Sequence, residues 1–67
     1  MKIILDKASN MLNIQLSDKP SIESAELEEG LVVDYDGDGL IVNIEIENAN
    51  NFDFSKFTFE TLNQKSS

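Results

Sequence analysis

No cysteine occurs in the 67 residues, which excludes disulfides and thiolate metal sites. Histidine is absent too, removing the usual general base, the usual zinc ligand and every triad built on imidazole. All five basic residues are lysines, so no arginine can clamp a phosphate or carboxylate with paired hydrogen bonds. There is no long apolar run and no signal-peptide core, and a soluble cytoplasmic protein is expected. Length is short as well. Such a chain makes one domain at most, buries only about 60% of its unfolded surface, and commonly regains stability by association.

What the chain has instead is acid: 13 Asp and Glu against five lysines, for a net charge of −8. That sign repels nucleic acid and anionic membranes, so neither is an expected partner. It suits a basic protein partner, a hard cation, or a surface that is simply solvated.

Hydrophobic alternation is the main structural signal. Ile3 and Leu5, then Leu12, Ile14 and Leu16, form a first hairpin in which Leu5 faces Leu12 and Ile3 faces Ile14. Lys7-Ala8-Ser9-Asn10 is its connection, and Ser17 to Ser21 a turn around Pro20. Ile22 to Leu27 reads as a short edge strand guarded by acids. A helix over Glu23 to Glu29 is the competing reading, since Glu, Ala and Leu favour helices.

A second hairpin follows, with Leu31, Val33 and Tyr35 on one strand and Leu40, Val42, Ile44 and Ile46 on the other. Matching Tyr35 with Leu40, Val33 with Val42 and Leu31 with Ile44 gathers the apolar set on one face. It leaves Asp36-Gly37-Asp38-Gly39 as the turn. All four phenylalanines come later, at 52, 54, 57 and 59. A turn or short helix is expected near Asp53 to Phe57, then an extended piece to Leu62, with the rings closing over the sheet as core rather than stacking on a ligand. The predicted fold is mainly β: a small antiparallel meander of about four to five strands with the Phe-rich segment packed on it. Residues 1–62 form the single domain and 63–67 a frayed polar tail.

The stretch Asp34 to Glu45 also fills a calcium-loop template, with Asp34, Asp36, Asp38, Gly39 and Glu45 in place. Those four acids can supply several of the six to eight oxygens Ca²⁺ takes. The template works, however, when helices brace the last carboxylate over the ion. Here Leu31 to Val33 and Val42 to Ile46 are β-branched and alternating, so Glu45 should lie along a strand that leads away from the turn. A Ca²⁺ or Mg²⁺ module using Asp34, Asp36, Asp38 and Glu45 therefore stands as the alternative, with no metal, cofactor or catalytic residue assigned. A looser cation site at Asp34, Glu45 and Glu47, or acid–base chemistry there, has no histidine, arginine or shaped pocket to support it.

Four hydrophobes, Ile4, Met11, Val32 and Ile41, fall on the outward face beside Asn13, Gln15, Asn43 and Glu45. Clustered, they mark a cover or a partner. Either the tail folds over this side, leaving the other to pair, or a second copy covers it. A twofold homodimer is the commonest way to meet that need. The leading expectation is a non-enzymatic, dimeric interaction module whose acidic surface meets a basic protein.

Taken together, Met1-Lys2-Ile3, Asp6, Leu12-x-Ile14-x-Leu16, Ser24-x-Glu26 and Gly30 form one run of motifs. Asp34-Tyr35-Asp36-x-Asp38-Gly39, Val42-x-Ile44-Glu45-Ile46 and Ala49 continue it. In these the chain resembles the YuzE-like uncharacterised small-protein family (domain-of-unknown-function family twenty-two eighty-three) over roughly its first fifty residues. Leu5 stands where an aromatic is common. The resemblance implies a small β-rich domain of unknown function with no site residues to carry over, and makes the calcium-like string a hairpin turn. Some relatives sit beside toxin-like partners, which implies an antitoxin role by association.

Overall fold

A computed structural model describes residues 1–63. Of the predicted tail 63–67, all but Asn63 lies outside the described residues.

Alternating β-formers produce strands where expected. β1 (Lys2–Asp6) and β2 (Met11–Gln15) pair antiparallel with Ile3 opposite Ile14 and Leu5 opposite Leu12. Asp6 holds the connection by accepting the Ala8 and Ser9 N–H groups, and Asn10 takes a positive φ of 58°, a conformation Asn tolerates better than most residues. β3 (Glu23–Glu28) is a strand, not a helix: pairing of Ala25 with Val33 overrides the helix preference of its residues.

β4 (Leu31–Tyr35) and β5 (Ile41–Glu47) form the second hairpin. Its register differs from the one read in the sequence by two at Leu31 and Val33 and by one at Tyr35. Val33 faces Ile44 rather than Val42, Leu31 faces Ile46 rather than Ile44, and Tyr35 faces Ile41 rather than Leu40. The loop is correspondingly longer. Asp36 N–H donates to the Leu40 carbonyl at 2.8 Å, closing five residues, and Gly39 turns at φ 80°. An irregularity between Asp34 and Tyr35 absorbs the odd residue, since Asp34 faces Asn43 while Tyr35 faces Ile41.

Among the described residues, these strands make one five-stranded antiparallel sheet in the order β1-β2-β5-β4-β3. The meander is thus interrupted: β2 neighbours β5, not β3. The registers then line up as rows. Ile3, Ile14, Ile44, Val33 and Ala25 cross all five strands on one face. Leu5, Leu12, Ile46 and Leu31 make the next row, ending at Glu28. The opposite face carries Ile4, Asn13, Glu45, Val32 and Glu26 in one row and Lys2, Gln15, Asn43, Asp34 and Ser24 in another.

After β5 the chain makes a 3₁₀ turn, η1 (Ala49–Asn51), and the turn expected near Asp53 to Phe57 follows it, where Phe57 N–H donates to the Phe54 carbonyl at 3.3 Å. Asn10 fastens η1. Its carbonyl accepts Ala49 N–H at 3.0 Å, its Oδ1 accepts Asn50 N–H at 2.8 Å, and its Nδ2 donates to Asn50 Oδ1 at 2.8 Å. Ala49 is wholly buried there. The phenylalanines do not close the core. Phe52 and Phe54 meet edge to face at 6.3 Å, and Phe54 is half-buried over Leu5 and Leu12. Phe57 and Phe59 stay exposed, and no strand forms over 58–62. Phe54 and Phe57 cap one end of the apolar face, beside Ile3, Leu5 and Leu12.

The radius of gyration is 14.3 Å, against about 11 Å for a compact domain of this length. Among the described residues the buried hydrophobic core is only Leu12, Val33, Val42 and Ala49. No helix among them is long and apolar enough to cross a membrane.

Candidate functional site

The polar rows gather the chain's least expected burial. Asp34 is 7% exposed in the middle of β4, and its carboxylate is fully engaged. Ser24 Oγ–H donates to Oδ1 from β3, and Asn43 Nδ2–H donates to Oδ2 from β5 at 2.9 Å. Asn43 also reaches Asn13 Oδ1 on β2 at 3.5 Å, the limit of a weak contact, while its own Oδ1 is buried without a partner. One hydrogen-bonded line thus runs across four strands: Ser24, Asp34, Asn43, Asn13.

Charge follows from those contacts. The Ser24 hydroxyl, chiefly, holds the Asp34 carboxyl below its ordinary value, with Asn43 and Glu45 adding to it against the opposing cost of burial. Glu45 moves the other way. Its bond to Asp34, its burial and the negative charge of Asp34 all favour the protonated acid. Two carboxyls pushed apart resemble an acid and base pair in waiting. They do not share a cleft, however. A shallow groove of about 420 Å³ is lined by Asp34, Asn43, Val42, Gln15, Lys19 and neighbouring loop residues, without Glu45.

The calcium-template acids separate. Asp36 is buried, and its Oδ1 accepts the Asp38 and Leu40 N–H groups at 2.8 and 2.9 Å, which, led by Leu40, lowers its carboxyl. Its carboxylate is thus a loop brace. Asp38 is exposed at the loop tip. Glu45 lies two residues beyond Asn43 along β5, opposite Val32. Among the described residues no three acidic side chains gather to hold a metal ion, so neither Asp34, Asp36, Asp38 and Glu45 nor Asp34, Glu45 and Glu47 forms a cluster.

The outward hydrophobes also fail to meet. Ile4 and Val32 share a row but are separated by Asn13 and Glu45, three strand spacings or about 14 Å apart. Met11 lies one row on, facing Asp6 and Glu47. Ile41 leaves the set altogether. The irregularity in β5 pairs it with Tyr35, which follows Leu31 and Val33 at two-residue steps on the apolar face. The Asn10–Asn50 clamp and the Ser24–Asp34 bond were not read in the sequence. Both join residues that only the folded sheet brings together, and an Asn before a strand or a Ser in one carries no signal of its partner.

Fold and site together define a single-layer antiparallel sheet with one apolar face and one acidic, amide-bridged face. The model of a protein family of unknown function, DUF2283, matches residues 2–50, and the chain belongs to that family. That span contains the whole sheet and ends at the Asn10-bound turn. No curated protein and no solved structure matches the chain.

Proposed function

We propose that residues 1–62 act as one non-enzymatic, dimeric, cytoplasmic interaction module that binds a basic protein partner through its acidic face. The observation that carries this reading is the partition of charge. Asp6, Asp34, Glu26, Glu45 and Glu47 all fall on the amide-bridged face, whereas the two central rows of the other face carry acid only at Glu28 on the edge. A predominantly acidic face, with Lys2 at its β1 end, on a chain of net charge −8 steers a basic partner and repels acidic ones. In the antitoxin form of this reading the partner is a basic, ribonuclease-like toxin whose RNA-binding surface the acids occupy.

The test is calorimetric titration of the purified protein with the product of the neighbouring gene, at low and high salt. Binding that weakens with salt and is abolished by Glu45→Lys with Glu47→Lys is the expected result. Affinity indifferent to that double reversal, in a variant that keeps its β-sheet circular dichroism, overturns the proposal.

A further inference from the structure

We infer that the apolar face, and not the face carrying Ile4, Met11 and Val32, is the surface by which a second copy of this chain docks. The inference rests on the dimeric reading above and specifies its geometry. A sheet with one apolar face requires a second layer to bury it, and within one chain that layer is missing. The Phe52 to Phe57 segment reaches only the β1–β2 end, where Phe54 sits over Leu5 and Leu12. Among the described residues, no element packs broadly across from the row Ile14, Ile44 and Val33 or its neighbour Ile46 and Leu31, since the main contacts of every strand are with its neighbours in the sheet.

Surface area points to the same face. The chain exposes 5678 Å², roughly 1,400 Å² more than a compact monomer of its mass. The outstretched residues 58–63 account for part of that excess, yet even half of it approaches the roughly 800 Å² per partner of a standard interface.

Charge selects a second copy over another protein. Two chains of net charge −8 repel unless their acids point apart. Packing the apolar faces together directs Asp34, Glu45 and Glu47 of both copies outward, on opposite sides of the pair. The contact rows themselves are uncharged except at the Glu28 edge, so they offer a basic partner nothing to pair with. Association by the β3 edge is blocked differently. Glu23, Glu26 and Glu28 line that strand, and its register slips between Glu26 and Glu28. Two such sheets would lie about 10 Å apart as a sandwich, leaving both acidic faces free, so one dimer would present two partner sites.

Sedimentation equilibrium, with methyl NMR in the presence of a soluble gadolinium chelate, tests this on the unmodified chain. The expected mass is twice the 7.5 kDa of one chain, with the methyls of Ile44, Ile46 and Leu31 shielded from the chelate and those of Ile4 and Val32 broadened by it. Ile44→Lys should return the mass to that of one chain; should it unfold instead, the shielding pattern of the unaltered protein still decides. A single-chain mass at micromolar concentration overturns the dimer and this inference with it. A double mass with Ile4 and Val32 shielded and Ile44 broadened overturns the face assignment alone. A single chain whose apolar face becomes shielded only when the neighbouring gene's product is added gives that face to the partner instead, and sinks the inference.

Discussion

The two faces of this sheet solve the same problem by different means. On one, rows of Ile, Leu and Val rely on area removed from water, which is non-directional and grows with whatever covers it. On the other, Asp34 is as inaccessible as Leu12, yet its burial depends on two named partners, Ser24 and Asn43, in fixed directions. The apolar face therefore tolerates imprecise cover and invites a second layer. The polar face forms its hydrogen bonds in only one register, and so it ties β2, β5, β4 and β3 into a single alignment. A directional network specifies; an apolar row associates.

Substitutions can separate these roles. The largest effect is expected at Leu12→Ala, which empties a core position for about 3 kcal/mol, set against about 1 kcal/mol or less for Ile4→Ala among the half-exposed residues of the other face. Urea denaturation of both variants reads the difference, and equal losses would erase the distinction. Next comes Asp36→Ala. It strands the Asp38 and Leu40 N–H groups and should cost about 2 kcal/mol, while Asp36→Asn, which keeps an acceptor oxygen, should cost less. If the alanine variant melts with the wild type, the loop is not braced as described.

Smaller, and opposite in sign, is Glu45→Gln. The raised Glu45 carboxyl contributes stability that is complete below its ordinary range and is lost as pH rises through its folded value. Ionised beside Asp34, it is a like-charge diagonal neighbour, so the amide should stabilise the protein by about 0.5 kcal/mol at neutral pH. That gain should vanish once pH falls below about 4. Asp34 and Asp36, with lowered carboxyls, run the other way: their contribution is present above the ordinary carboxylate range and disappears as acid protonates them. Melting curves from neutral to acid pH for wild type and variant should therefore converge on the acid side. The smallest expected effect is none at all. Millimolar Ca²⁺ should leave the melting temperature unmoved, since Asp36 is committed to the loop, and a rise would restore the calcium template as a binding site.

Much of this was legible along the chain. The first hairpin's register followed from Ile3, Leu5, Leu12 and Ile14, because only one alignment closes a four-residue connection with all four on one side. The second hairpin was recognised, but its alignment was not. Period-two alternation cannot tell Val33 opposite Val42 from Val33 opposite Ile44, since a shift of two residues preserves both faces. The choice belongs to Asp36, whose side chain organises a five-residue loop, and to the irregularity that re-aims Ile41. The network Ser24–Asp34–Asn43–Asn13 was hidden for a related reason. Asn13 and Asn43 are thirty positions apart, and nothing local announces that β2 will lie against β5.

The sequence by itself determined the chemistry excluded by missing histidine, cysteine and arginine, the extended character of the strands, and which residues alternate. Those are properties of single residues and their near neighbours. Only the tertiary structure decided that β2 meets β5, that the phenylalanines cap an end instead of roofing the sheet, and that an aspartate is buried at its centre. Each of these depends on contacts between distant segments, whose free energy exists only when the whole sheet is assembled.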